Sequence, residues 1–168
     1  MRKLVVWVLF ACLIKLGADF MANRKAARGD TEAVKQPVYA ELNIRVIVDG
    51  QSLEEFMFVE AKDMADCDRT REQLERDFAK RVASRLPPSI RSSRCLTELT
   101  QDQGDLFANR PTNVTYLSVG PGRASEREMR VIAWGLTPEQ STQICELILR
   151  EEWAQRRGSA RCVRSLML

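Results

Sequence analysis

The placement of its cysteines narrows most what this chain can fold into. Of five, four lie downstream of an apolar N-terminal segment in two look-alike settings. Cys67 and Cys145 fall within stretches of helical periodicity, and Cys95 and Cys162 follow in Ser-Arg-Cys and Ala-Arg-Cys strands. Four cysteines allow three pairings, and repetition favours Cys67 with Cys95 and Cys145 with Cys162, each fastening a helix to the strand after it. Free cysteine packs as a small hydrophobe in many cores, but an exported chain meets oxidising surroundings in which disulfides form and persist. There is no Cys-x-x-Cys sequence, so redox catalysis and a tetrathiolate metal site fit poorly.

Export is the reading of the N-terminus. Met1-Arg2-Lys3 precedes Leu4 to Ile14, an apolar run in which only Cys12 is mildly polar, matching the charged and apolar regions of a signal peptide. Residues 1–18 are assigned to it, with cleavage after Ala18 or, as a second choice, Ala22. A retained anchor needs about 20 apolar residues, and residues 4–22 reach that length only by including Lys15 and Asp19. Lipidation at Cys12 is a third option, with bulky Phe10 against it. Each option places the folded part in the periplasm or outside the cell, free or tethered to the membrane through residues 4–22. Residues 19–37 are polar, aperiodic and closed by Pro37, and read as a flexible linker.

Net charge then bears on partners. Residues 1–37 hold seven Lys/Arg against three Asp/Glu, whereas residues 38–168 hold nineteen against twenty. The folded part is near neutral and lacks the electrostatic footprint that nucleic-acid binding needs. Histidine is absent, which excludes Ser-His and Cys-His nucleophile pairs, imidazole bases and His-ligated metal or haem. No glycine-rich phosphate loop, Gly-x-Ser-x-Gly or Ser-x-x-Lys sequence occurs.

From Val38 the chain alternates, with Val38, Ala40, Leu42, Ile44, Val46 and Val48 on one face and Tyr39, Glu41, Asn43, Arg45 and Ile47 on the other, the period of a half-buried strand. Asp49-Gly50 marks a turn and Leu53 to Ala61 a returning strand. Asp63 and Asp66 form a carboxylate capping box for a helix whose apolar stripe holds Cys67, Leu74, Phe78 and Val82. Pro87-Pro88 ends that helix, and a third strand runs from Ile90 to Leu99. The order then recurs: Asn113 to Val119 and Glu128 to Trp134 flank Gly120-Pro121-Gly122, Thr137-Pro138-Glu139-Gln140 caps a helix carrying Ile144, Cys145, Ile148, Leu149 and Trp153, Gly158 stops it, and Ala160 opens the last strand. Residues 100–112 connect the halves, with Leu106 and Phe107 expected to pin a short helical turn to the core.

The expected fold is one α+β domain over residues 38–168, built as two ββαβ units, 38–99 and 113–168, in a roughly six-stranded, mostly antiparallel sheet with two helices on one face. Four features are candidate sites. The acids Glu60, Asp63, Asp66 and Asp68 do not follow the spacing of a calcium loop and suit a helix N-terminus without metal. Arg156, Arg157, Arg161 and Arg164, joined by Arg91 and Arg94 if the two last strands lie close, could line an edge for an anionic partner; charges also guard strand edges against aggregation. Tyr39, Tyr116, Trp134 and Trp153 suit a core better than a stacking surface, and Asn113-Val-Thr115 matches a glycosylation acceptor by pattern alone. No catalytic residue, metal or cofactor is assigned. The expected function is that of a non-enzymatic exported binding or accessory protein of the cell envelope, acting on another envelope or secreted protein. The alternatives are a periplasmic or secreted inhibitor or immunity protein and, further off, a carboxylate-based enzyme.

Overall fold

The computed structural model describes residues 37–48, 51–81, 89–120, 127–150 and 159–166. The export segment, most of the linker, the turns at 49–50 and 121–122, and Val82, Pro87-Pro88, Trp153, Arg156, Arg157 and Gly158 lie outside them. The described elements are β1 (Val38–Val48), β2 (Gln51–Ala61), α1 (Met64–Arg81), β3 (Ser89–Leu96), α2 (Gln101–Phe107), β4 (Tyr116–Val119), β5 (Met129–Trp134), α3 (Pro138–Arg150) and β6 (Ala160–Val163).

The six strands form one sheet in the order β3-β1-β2-β5-β4-β6, and every neighbouring pair is antiparallel. The fold is α+β, and each half has the order strand, strand, helix, strand. The sheet order reads alike from either edge: last, first and second strand of one half, then second, first and last strand of the other. Within each half the helix crosses over the first strand to join two parallel strands that flank it, a split β-α-β crossover. The halves meet along the β2–β5 pair, where Met57 stands opposite Val131 and Phe58 opposite Arg130.

Alternation in β1 sends Ala40, Leu42, Ile44 and Val46 to one face, where α1 and α3 pack. That face also takes Met57 and Val59 from β2, Met129 from β5, Leu117 and Val119 from β4, and Leu74, Phe78 and Ile148 from the helices. Cys67 of α1 is bonded to Cys95 of β3, with Cα atoms 6.0 Å apart, and Cys145 of α3 to Cys162 of β6, at 5.9 Å. Both staples lie within a half. They close loops of 28 and 17 residues, and each restricts the unfolded chain by about 3 to 4 kcal/mol on an entropy model.

Caps set the helix boundaries. Asp66 N–H donates to Asp63 Oδ1 at 2.8 Å, and Asp66 Oδ2 reaches back to the N–H of Lys62 at 3.0 Å. Thr137 and Gln140 exchange bonds of 3.2 and 2.9 Å at the start of α3. Thr100 and Gln103 form the same box on α2, a cap with little sequence signal because the apolar run after it is so short. Asn109, with φ of 56°, closes α2; its N–H and that of Arg110 donate to the carbonyls of Leu106 and Asp105, a Schellman end. Gly135 has φ of 91° and a Cβ there would lie 2.8 Å from the Ser52 carbonyl oxygen, so only glycine fits this turn into α3.

Several expected strands are shorter than the pattern suggested. β4 begins at Tyr116 rather than Asn113, because Thr115 N–H donates to Ser141 Oγ at 2.9 Å and its hydroxyl meets Thr142 Oγ1 at 2.7 Å. Those bonds tie the segment to α3 instead of to a ladder. β3 ends at Leu96 and is bulged where its register against β1 shifts beside Asn43 and Ile44.

Candidate functional site

The second face of the sheet holds the least expected arrangement. Successive registers place Arg94, Glu41, Phe58, Arg130, Ser118 and Arg161 in one row across all six strands. Alternation alone sends this row to solvent, yet Glu41 and Arg130 are each about 1% exposed. The cover is the connector: α2 crosses this face, with Leu106 packing into a second core of Phe58, Val114, Tyr116, Ile132 and Val163.

Two buried charges fasten the strap. Arg130 donates through Nε to the Leu106 carbonyl at 2.9 Å, through Nη2 to the Phe107 carbonyl at 3.1 Å and Glu128 Oε2 at 2.8 Å, and through Nη1 to the Val119 and Met129 carbonyls. Its guanidinium also lies 4.8 Å from the Phe107 ring centroid, a cation–π contact. The C-terminal carbonyls of α2 are thereby satisfied by a positive charge, where a helix end favours one. At the other end Glu41 accepts from Arg94 Nε at 2.9 Å and Nη2 at 3.3 Å, from Ser92 Oγ at 3.0 Å, and from Gln103 Nε2 at 3.4 Å. The Tyr116 hydroxyl donates to the carbonyls of Leu106 and Arg110, and burial pushes it up to about 12, against the lowering pull of Arg130 and Arg161.

Beyond the strap the same face is open. Here Arg45 pairs with Glu54 at 2.8 Å, Phe56 stacks 6.1 Å from Phe58, and Ile47 and Trp134 stand out at 58% and 40% exposure. Trp134 was expected in the core; it projects instead from the uncovered end of β5, whose even positions face away from the helices. Tyr39 is half-buried against Phe107 at 4.6 Å between ring centroids.

The two last strands do not lie close. β3 and β6 are opposite edges of the sheet, so Arg91 and Arg94 cannot join Arg161 and Arg164. Arg94 is engaged with Glu41, and Arg164 pairs with Glu146 at 3.3 Å on the surface. Arg156 and Arg157 lie outside the described residues. The acidic cluster resolves into structural bonds: Asp66 accepts from Arg127, which also donates to the Glu60 carbonyl, tying the start of α1 to the start of β5. Burial and the neighbouring Glu128 raise the Glu60 carboxyl, opposed by Arg127 and Arg130. Among the described residues no group of three or more His, Cys, Asp or Glu side chains is placed to hold a metal ion, and no helix is long and apolar enough to cross a membrane.

One carboxyl stands apart. Glu55 of β2 points into the helix-side core, 4% exposed, and its Oε2 has no hydrogen-bond partner among the described residues. Burial alone pushes it up to about 8. A cleft under α3, lined by Thr115, Leu136, Ser141 and Ile144, has room for about one water.

No protein-family model matches the chain, and no curated protein or solved structure matches it either.

Proposed function

We propose that this chain is a non-enzymatic exported binding or accessory protein of the cell envelope, acting through protein–protein contacts. The observation that carries this reading is the use of its buried charges. Glu41, Asp66 and Arg130 each fasten one element to another rather than converging on a pocket. Stability is reinforced twice over by disulfides within a neutral, histidine-free domain, a design suited to a durable scaffold that presents a surface. The part of that surface best suited to a partner is the open half of the second face, where Ile47 and Trp134 stand beside the Arg45–Glu54 pair. Exposed aromatic and branched side chains ringed by polar groups are the composition of contact hot spots.

The matched strand order and matched staples further support descent of the halves from one duplicated ββαβ unit. Residues 1–18 acting as an export signal, with the folded part in the periplasm or secreted, complete the reading.

Affinity capture from envelope extract tests it, comparing the unaltered protein with a Trp134→Glu, Ile47→Asp variant of unchanged melting temperature. A stoichiometric partner captured by the former and lost by the latter is the expected result. Equal recovery by both removes the open face from the proposal, and turnover of an envelope substrate by the purified chain would overturn the non-enzymatic reading. Assay of the captured protein with and without this chain separates an accessory role from inhibition.

A further inference from the structure

Glu55 lies at the seam between the two halves. It stands opposite Ile44 of β1 on one side and Ala133 of β5 on the other, with Leu53 and Met57 as its neighbours on the same face of β2. A carboxyl in such surroundings remains buried at low cost only while it keeps its proton, because burial among apolar side chains penalises the ionised form.

Among the described residues that border Glu55 on the sheet there is no cation on its face. β1 and β5 present Ile44 and Ala133, and the Arg45–Glu54 pair is on the opposite face of the sheet. The buried residues of α3 are Ser141, Cys145 and Ile148. α1 contributes two buried carboxyls, Asp66, held by Arg127 and the Lys62 N–H, and Asp77, which accepts from Gln73 Nε2 at 2.8 Å. Neither is a cation that could offset a charge on Glu55, whose shift comes from burial alone.

We propose that Glu55 is a pH-sensitive latch: its ionisation opens the helix-side face of the β2–β5 seam while each ββαβ half stays folded. Two features direct the opening to that place. Both disulfides lie within a half, Cys67–Cys95 in the first and Cys145–Cys162 in the second, so on the helix face the halves meet through side-chain packing over the β2–β5 ladder. On the other face α2 is bonded to both halves, to Glu41 through Gln103 and to Arg130 through the Leu106 and Phe107 carbonyls. The strap therefore acts as the hinge. The carboxylate gains water by parting the packing above the seam, and the staples keep α1 on β3 and α3 on β6 as it does so.

Methionine methyl groups report on this directly, since Met57 and Met129 lie on the helix face of the seam and Met64 is exposed at the start of α1. In the full chain labelled with 13C at the methionine methyls, the Met57 and Met129 signals are expected to move together toward solvent-exposed positions with a midpoint near pH 8. Met64 should hold still, and the β1–β2 and β4–β6 amides should keep their exchange protection. Glu55→Gln, which mimics the protonated acid, should abolish the movement, and Glu55→Leu provides the same comparison if the glutamine variant does not fold. The proposal is overturned if the two methyls are silent between about pH 6 and 10. It is equally overturned if they move unchanged in the variant, or if all amides lose protection together.

Discussion

Arg130 and Glu55 occupy neighbouring regions of the sheet and represent opposite fates for a buried charge. The guanidinium is saturated by carbonyls, a carboxylate and an aromatic face, so its burial anchors α2. Arg130→Met removes the guanidinium donors from the Leu106, Phe107, Val119 and Met129 carbonyls and leaves Glu128 without its ion pair, and should lower stability by about 3 to 5 kcal/mol. Urea unfolding measures that loss, and hydrogen exchange should place the first loss of protection at residues 106–110. Glu55 acts through pH. Its carboxyl is raised from 4.5 to about 8 in the folded protein, so between these values the unfolded chain releases a proton that the native state retains. Stability is accordingly full at acid pH, falls as pH rises through that window by on the order of 3 to 5 kcal/mol, and levels off above it. Urea unfolding of Glu55→Gln at pH 5, 7 and 9 should show that this part of the slope is gone; a variant with the parent's slope contradicts the assignment. Neither role was legible in sequence. Alternation correctly places Glu41 and Arg130 on the face away from the helices, but nothing local announces that a connector 60 residues downstream of Glu41 will cover that face. In β2 both faces carry apolar residues, Leu53, Met57 and Val59 against Phe56 and Phe58, so the pattern could not say that Glu55 points inward.

At the scale of elements the local signals were stronger. Strand periodicity in residues 38–61 and the Thr137 and Asp63 caps located β1, β2 and the starts of both long helices, because each rests on short-range hydrogen bonding and side-chain alternation. The boundaries that moved, at β3 and β4, moved for tertiary reasons: Leu96 stands opposite Tyr39, next to the first residue of β1, so β3 has no ladder partner beyond it, and Thr115 is bonded to Ser141 and Thr142. The disulfides belong to this scale too, since each joins a helix to the strand after it. Replacing Cys145 and Cys162 by Ala should lower unfolding stability by about 3 kcal/mol, and replacing Cys67 and Cys95, which close the longer loop, by slightly more. Calorimetry of the two double variants gives the comparison. Equal melting temperatures for the parent and both variants would mean that neither staple restricts the unfolded chain.

For the whole molecule, the order β3-β1-β2-β5-β4-β6 determines what can act together. It separates the arginines of β3 from those of β6 by the width of six strands, a fact of strand order that no local pattern encodes. Among the described residues it also leaves part of the second face uncovered to one side of α2, where Trp134 is 40% exposed. The repeated cysteine context was the one long-range signal in the chain, and it carried the two-unit architecture because each pair marks the same helix-to-strand step. Cys67 is thus stapled to Cys95 and Cys145 to Cys162, each within its own ββαβ unit and not across the seam. Non-reducing peptide mapping of the protein recovered from the envelope or medium is the decisive measurement. One peptide linking Cys67 to Cys95 and another linking Cys145 to Cys162 are expected; a Cys67–Cys145 peptide, or four free thiols, would overturn this pairing.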